Sequence, residues 1–354
     1  MNRREFLKRT ASSAALMSVG LPFALRANPA IPDAGKVLTT TGSIGASEMG
    51  QTLVHEHIIT IFGEKAQEPA EYDEEKVLED VVPYLKYIKS LGCNTIVDCS
   101  AAYLGRNAAL LKKLSEASGI NILVSTGLYG AAGDDYVPDY AYDEPPGKLA
   151  ERWIDEFKNG IHGTGVRPGF VKIGVDSGPL SDIDAKLVRA ATMTHLETGL
   201  LLQIHTSNNP RAVDQQLQIL KEEGVHPSAW VWVHAQGVDD ADPLIKAAQK
   251  GAWISLDGLR SRNYFNGYGD GRSSVMHHFE LLQALKKEKL LDRVLLSHDG
   301  STFPPGDRPK RPYDVLFTTF IPMLKAGGYS DDEINQLIVN NPARAFAIQV
   351  RRNS

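Results

Sequence analysis

The sequence predicts a (β/α)₈ barrel, and two observations carry that expectation. From residue 35 onward, short apolar or β-branched runs alternate eight times with amphipathic stretches of helical period. No G-x-G-x-x-G follows any of the runs, which argues against a doubly wound open sheet. The predicted strands are Thr52–His57, Asn94–Cys99, Asn121–Thr126, Gly169–Val175, Leu200–His205, Trp230–Ala235, Ala252–Asp257 and Arg293–Asp299. Their near-continuous hydrophobicity suits parallel strands covered on the outside by helices. Between them, helices are expected at Asp73–Ser90, Ala108–Ala117, Ile183–Thr198, Val213–Glu223, Pro243–Lys250 and His277–Lys287. Tyr313–Ala326 and a closing stretch from Ser330 to Phe346 complete the pattern. No low-complexity linker or composition break divides the chain, so residues 31–354 are expected to form a single barrel domain.

Residues 1–30 read as an address rather than as structure. Arg3-Arg4-Glu5-Phe6-Leu7-Lys8 is a twin-arginine signature, followed by a weakly apolar run, Thr10 to Leu25, interrupted by Ser12, Ser13 and Ser18. That run is too short and too polar for a permanent membrane span, which needs about 20 strongly apolar residues. The small residues near Ala27–Ala30 make a cleavage zone. Passage through the twin-arginine export machinery to the periplasm, or otherwise out of the cell, is the expectation. Such export carries folded and often metal-loaded proteins.

Composition narrows the function. The 43 acidic residues against 38 Lys+Arg give a net charge of −5, so no basic excess exists to neutralise nucleic-acid phosphates. Cys93 and Cys99 stand six positions apart, roughly 20 Å in an extended strand, too far for a disulfide. Two cysteines are also too few for a cysteine-rich zinc site.

Barrel enzymes do their chemistry where the strands end. There the sequence places His55-x-His57, His205, His234 and Asp299, five metal-type ligands on four strands. Side chains two apart in a strand share a face, so both imidazoles of His55-x-His57 point to the barrel interior. Lys172 sits in the apolar run Phe170–Gly174, where a bare ammonium is costly to bury. It either reaches the strand edge to pair with Asp176, or is neutral enough to capture carbon dioxide. The resulting carbamate would bridge two cations as a carboxylate does. Such a donor set holds two divalent ions about 3.5–4 Å apart, able to generate hydroxide near neutral pH. Asp299 is the expected general base.

The assembly of His55-x-His57, Lys172, His205, His234 and Asp299 resembles the phosphotriesterase family of the amidohydrolase superfamily. Thr52–His57, Thr95-Ile96-Val97-Asp98, Gly105-Arg106-Asn107, Thr126-Gly127-Leu128-Tyr129, Val171–Gly174 and Ser297-His298-Asp299 follow in family order. The resemblance implies His55, His57 and Asp299 on one ion and His205 and His234 on the other. It also implies an N-carboxylated Lys172 and a hydroxide bridging the two. The ions are expected to be zinc, with manganese, cobalt or iron as alternatives. Homodimers are common in the family.

The same resemblance bears on the substrate. Tyr129 stands where lactonase-like members carry a tyrosine beside the metals, a phenol able to bond the attacking hydroxide or the carbonyl oxygen. The proton relay of true phosphotriesterases is missing, because Gly258 follows Asp257 and Gly237 stands shortly after His234. A lactone or carboxyl ester is therefore expected over an organophosphate triester, with Asp257 and Arg260 as candidate substrate contacts. The loop 258–274, carrying Arg262, Tyr264, Phe265, Tyr268 and Arg272 besides Arg260, either closes on substrate or lies solvated. Gly300–Pro312 is expected to be a stiffer rim. His162, His195, His226, His277 and His278 read as structural or solvated. Two other readings stand beside the hydrolase: an exported ligand-binding barrel without catalysis, and a mononuclear amidohydrolase, which Lys172 disfavours.

Overall fold

The computed structural model describes residues 35–63, 65–260, 274–304 and 309–353. The described chain opens on a hairpin, Lys36–Thr39 paired antiparallel with Gly42–Gly45. The barrel strands follow: β1 (Gln51–Ile59), β2 (Cys93–Asp98), β3 (Asn121–Leu123 and Ser125–Thr126), β4 (Phe170–Gly174) and β5 (Leu201–His205). They continue with β6 (Trp230–Val233), β7 (Trp253–Leu256) and β8 (Val294–Leu296 and Gly300–Phe303). All of them pair in parallel.

Two strands change partner midway. The first piece of β3 pairs with β2 and the second with β4. The first piece of β8 pairs with β7 and the second with β1. The eight strands thereby follow one another around a barrel, as the alternation predicts. The price of the break in β8 is a run, Ser297-His298-Asp299, lifted out of strand pairing, and this run carries an expected site residue.

Side-chain caps start most of the outer helices. Asp73 caps α1 (Glu74–Ser90), Asn107 caps α2 (Ala108–Ser118), and Ser181 forms a capping box with Asp184 on α4 (Asp182–Thr198). Between the last two lies α3 (Pro146–Asn159). Asn209 and Ser274 cap α5 (Pro210–Glu222) and α7 (Val275–Lys287), with α6 (Asp242–Gln249) between them. Ile321–Ala326, Asp331–Asn335 and Asn341–Phe346 close the chain. The hairpin and α3 were outside the sequence expectation. The α3 segment follows Pro145, begins with Pro146 and carries the charges Lys148, Glu151, Arg152, Asp155, Glu156 and Lys158, burying Leu149, Ala150 and Trp153 on the opposite face.

Apolar side chains form two layers. Outward-facing Ile96, Val171, Leu202, Trp232, Ile254 and Leu296 pack with the helices. Val97, Leu123, Phe170, Leu201, Val231 and Leu295 fill the interior, with Val37, Met49 and Phe346 in the same cluster. Above this floor the interior turns polar: Gln203 Nε2 donates to Val54 O at 2.9 Å, and the Cys99 thiol to Gln203 Oε1 at 3.4 Å. Both cysteines are free and buried, as their spacing requires. The pairing of β1 with β2 shifts between Leu53 and Glu56. That irregularity lets Val54 fill the floor while His55 and His57 stand above it. Among the described residues, no helix is long and apolar enough to cross a membrane.

Candidate metal centre

His55, His57 and Asp299 offer three ligand atoms that all lie within 4.8 Å of one another. Asp299 Oδ1 is 3.3 Å from His57 Nε2 and 3.6 Å from His55 Nε2. The proton on His57 can be placed from its other nitrogen. Ser100 Oγ donates to Ile59 O at 2.6 Å, so at 3.0 Å from His57 Nδ1 it acts as an acceptor. Nδ1 therefore carries the hydrogen and Nε2 faces Asp299 as a bare lone pair. Burial drives the pKa of both imidazoles down, keeping them neutral. Burial alone would raise the Asp299 carboxyl, but the Arg311 guanidinium opposes it and the group is held well below the usual carboxylate range. Two neutral imidazole nitrogens thus converge on an ionised oxygen with no proton between His57 and Asp299. Acceptors facing acceptors fit a cation.

His205 and His234 lie across the mouth, ring centroids 4.5 Å apart, and His234 is 4.9 Å from the His55 ring. His234 Nδ1 lies 2.7 Å from Asp257 Oδ1, and donation there leaves Nε2 as an acceptor. His205 Nε2 is 3.2 Å from Ser207 Oγ, and its Nδ1 is 3.1 Å from the Tyr129 hydroxyl. Gly174 makes room for that phenol: a Cβ there would sit 2.9 Å from the Tyr129 ring.

Lys172 lies beside His55. It is only 1% exposed, and its Nζ lies 3.4 Å from His55 Nε2. Asp176 takes the Gly133 N–H instead, so the pairing weighed for it does not form. Burial lowers the Lys172 pKa, although Cys99, Asp257 and Asp299 oppose the shift.

His234 and Asp299 do not end their strands as expected: His234 stands just past β6 and Asp299 in the break within β8, at φ 59° and 53°. Left-handed backbone at a non-glycine residue costs on the order of 1–3 kcal/mol, and such strain gathers at functional sites. A buried carboxylate holds the strained run. Glu56 accepts from Ser297 Oγ (2.7 Å), His298 Nδ1 (2.8 Å), His298 N (3.1 Å) and Gly300 N (2.6 Å), gripping both neighbours of Asp299. Gly300 is needed there, since a Cβ would come within 2.9 Å of Glu56 Oε2.

A model of the phosphotriesterase family matches residues 35–346. The chain belongs to the phosphotriesterase family. Like its family, it is a metal-dependent hydrolase. It is 31% identical over 318 residues to an aryldialkylphosphatase from Saccharolobus solfataricus, covering 86% of this chain and 97% of that one. It is 29% identical to the phosphotriesterase homology protein of Escherichia coli, over 84% and 98% of the two chains. A solved structure described as organophosphate hydrolysis activity engineered from a weak promiscuous lactonase template superposes with a TM-score of 0.79. That pair shares 26% identity over 88% of this chain and 99% of the other.

Within this phosphotriesterase-family centre, the two expected substrate contacts differ in place: Asp257 is buried behind His234, and Arg260 lies beside Asp299. Asp257 is fully buried, so it is corrected from a substrate contact to a support: Ser255 Oγ donates to it at 2.7 Å, and it orients His234. Burial would raise its pKa, but His234 lowers it, keeping the group ionised. Arg260 reaches Asp299 Oδ2 at 3.6 Å. Arg262, Tyr264, Phe265, Tyr268 and Arg272 lie outside the described residues, as do residues 1–30 and 305–308 of the rim. Gln236 fills the place above Gly258, where a Cβ would meet its Nε2 at 2.4 Å. His278 is a buried structural histidine bonded to Ser274 O, and His195 to Leu200 O. Sequence reasoning missed Glu56, Ser100, Ser207 and Arg311. Only Glu56 gave a signal, as a carboxylate between two site histidines in an otherwise apolar strand.

Proposed function

We propose that this chain hydrolyses a lactone or carboxyl ester with two divalent ions, zinc by preference, held by His55, His57, His205, His234, Asp299 and an N-carboxylated Lys172. The observation that carries the reading is the contact chain from His57 through Asp299 to His55, which meets both Lys172 and His234, and on to His205. When bound, the metal pair supplies hydroxide at neutral pH and polarises the substrate's carbonyl oxygen. The protein residues do the rest. Asp299 accepts the proton of the attacking water through its carboxylate and passes it to the leaving alkoxide. Tyr129, with burial holding its hydroxyl protonated, donates toward the oxygen on which charge develops. Asp257, Ser100 and Ser207 fix the ring nitrogens that face the ions. The buried amine of Lys172, 3.4 Å from His55 Nε2 and with its pKa lowered by burial, supports carboxylation, because only a neutral amine attacks carbon dioxide.

Tyr129 beside His205, and Gly258 in place of a relay residue, favour the ester over the organophosphate triester. The relatives' names span both chemistries. The twin-arginine start supports action outside the cytoplasmic membrane. Steady-state kinetics with lactones, aryl esters and paraoxon-type triesters test the preference. Esters or lactones are expected to show the higher kcat/KM; faster triester turnover reverses the assignment.

A further inference from the structure

Arg311 comes from a part of the chain twelve residues past Asp299, and backbone pairing returns it to the site. Its N–H and carbonyl exchange two 2.8 Å bonds with Ser301, and Ser301 is the β8 residue in register with His57. The guanidinium Nη1 donates to Asp299 Oδ2 at 3.1 Å, on the side of the carboxylate away from His55 and His57. Its charge also reaches His57, adding to the lowering that burial causes, and Tyr129, opposing the larger rise that burial causes. The head group therefore stands beside Asp299, and it is 29% exposed. Among the described residues, Nη1 is the only nitrogen of this side chain with a protein hydrogen bond. The Nε–Nη2 edge offers two parallel N–H groups, the fork that matches a planar carboxylate. Beside His57, Tyr129, Tyr136 and Phe62 form an aromatic wall, with Phe62 5.4 Å from the His57 ring.

We infer that Arg311 is a specificity residue and that the substrate is an anionic ester or lactone. In this arrangement a carboxylate on the substrate sits in the Arg311 fork, and the apolar part beside the scissile carbonyl lies on the aromatic wall. The inference rests on the hydrolase reading above and deepens it to a substrate class. It asks nothing of the metals beyond that reading. Arg260, on the same Asp299 oxygen at 3.6 Å, adds charge of the same sign to this side of the mouth.

The test compares matched pairs: a monoaryl ester of glutaric acid against the aryl ester of butyric acid. The metal-loaded wild type is expected to favour the glutarate ester by at least tenfold in kcat/KM. Arg311→Met is expected to collapse that ratio toward one, and Arg311→Lys to restore it only in part, since an ammonium lacks the fork. A second readout is free of turnover: calorimetric binding of glutarate to wild type, weakened at least tenfold in Arg311→Met with its thermal unfolding unchanged. Equal handling of both esters by wild type, or glutarate binding that ignores the substitution, overturns the inference and leaves the hydrolase reading intact. Preference for a sulfonate or phosphate monoester partner over the carboxylate overturns the assignment to carboxylate. Failure to hydrolyse either ester sinks the hydrolase reading instead, and the glutarate measurement still decides the role of Arg311.

Discussion

Lys172→Ala is expected to lose more than 100-fold in kcat/KM and to fall from about two bound metals per chain to one or fewer. Residues that merely orient a ligand typically cost 10–100-fold in metal affinity or activity, and a bridging ligand must cost more. The loss is specific to the centre, because Lys172 is buried within it and, among the described residues, its only hydrogen bond is to His55. Metal analysis of the purified variant, with circular dichroism to confirm the fold, provides the check. A variant that keeps wild-type metal content and turnover refutes the bridging role.

Asp299→Asn is the second large effect, with turnover reduced by about 10²–10⁴-fold. The amide is nearly isosteric and keeps one oxygen toward His55 and His57, but it cannot take a proton. It also loses the charge that Arg311 pairs with at 3.1 Å. Asp257→Asn makes an informative comparison, as that carboxylate lies behind His234 and touches no position where substrate could reach it. Its loss should stay within the smaller 10–100-fold range, appearing first as weaker metal retention. Measuring kcat with saturating metal separates the two: Asp257→Asn recovers on added metal and Asp299→Asn does not. Full recovery of Asp299→Asn would remove it from proton transfer.

Much of this centre is legible in the chain because strand geometry is regular. Alternation along β1 puts His55 and His57 on one side, and the apolar runs mark where His205 and His234 emerge. Lys172 is conspicuous because a lysine inside Phe170–Gly174 has no ordinary reason to be there. What escapes a sequence reading depends on contacts distant in the chain. Glu56 grips Ser297, His298 and Gly300 across more than 240 positions, and no local pattern encodes that. Arg311 is brought to Asp299 by a two-residue bridge to Ser301 rather than by any periodic element. The partner change within β3 is equally invisible, since Asn121–Thr126 reads as one strand, and the second piece of β8, Gly300–Phe303, falls in the polar stretch expected to be a rim. The assignment of Asp257 to substrate failed for a related reason. A carboxylate at a strand end looks the same in sequence whether it faces the mouth or supports a neighbouring histidine.

The central claim is that two cations are gripped together by these six side chains. Elemental analysis of protein produced with ample zinc or manganese, and purified without chelator, tests it most directly. About two equivalents per chain are expected, with activity lost on chelation and regained on adding the metal back. Protein that comes out empty while hydrolysing its substrate at an undiminished rate would contradict it.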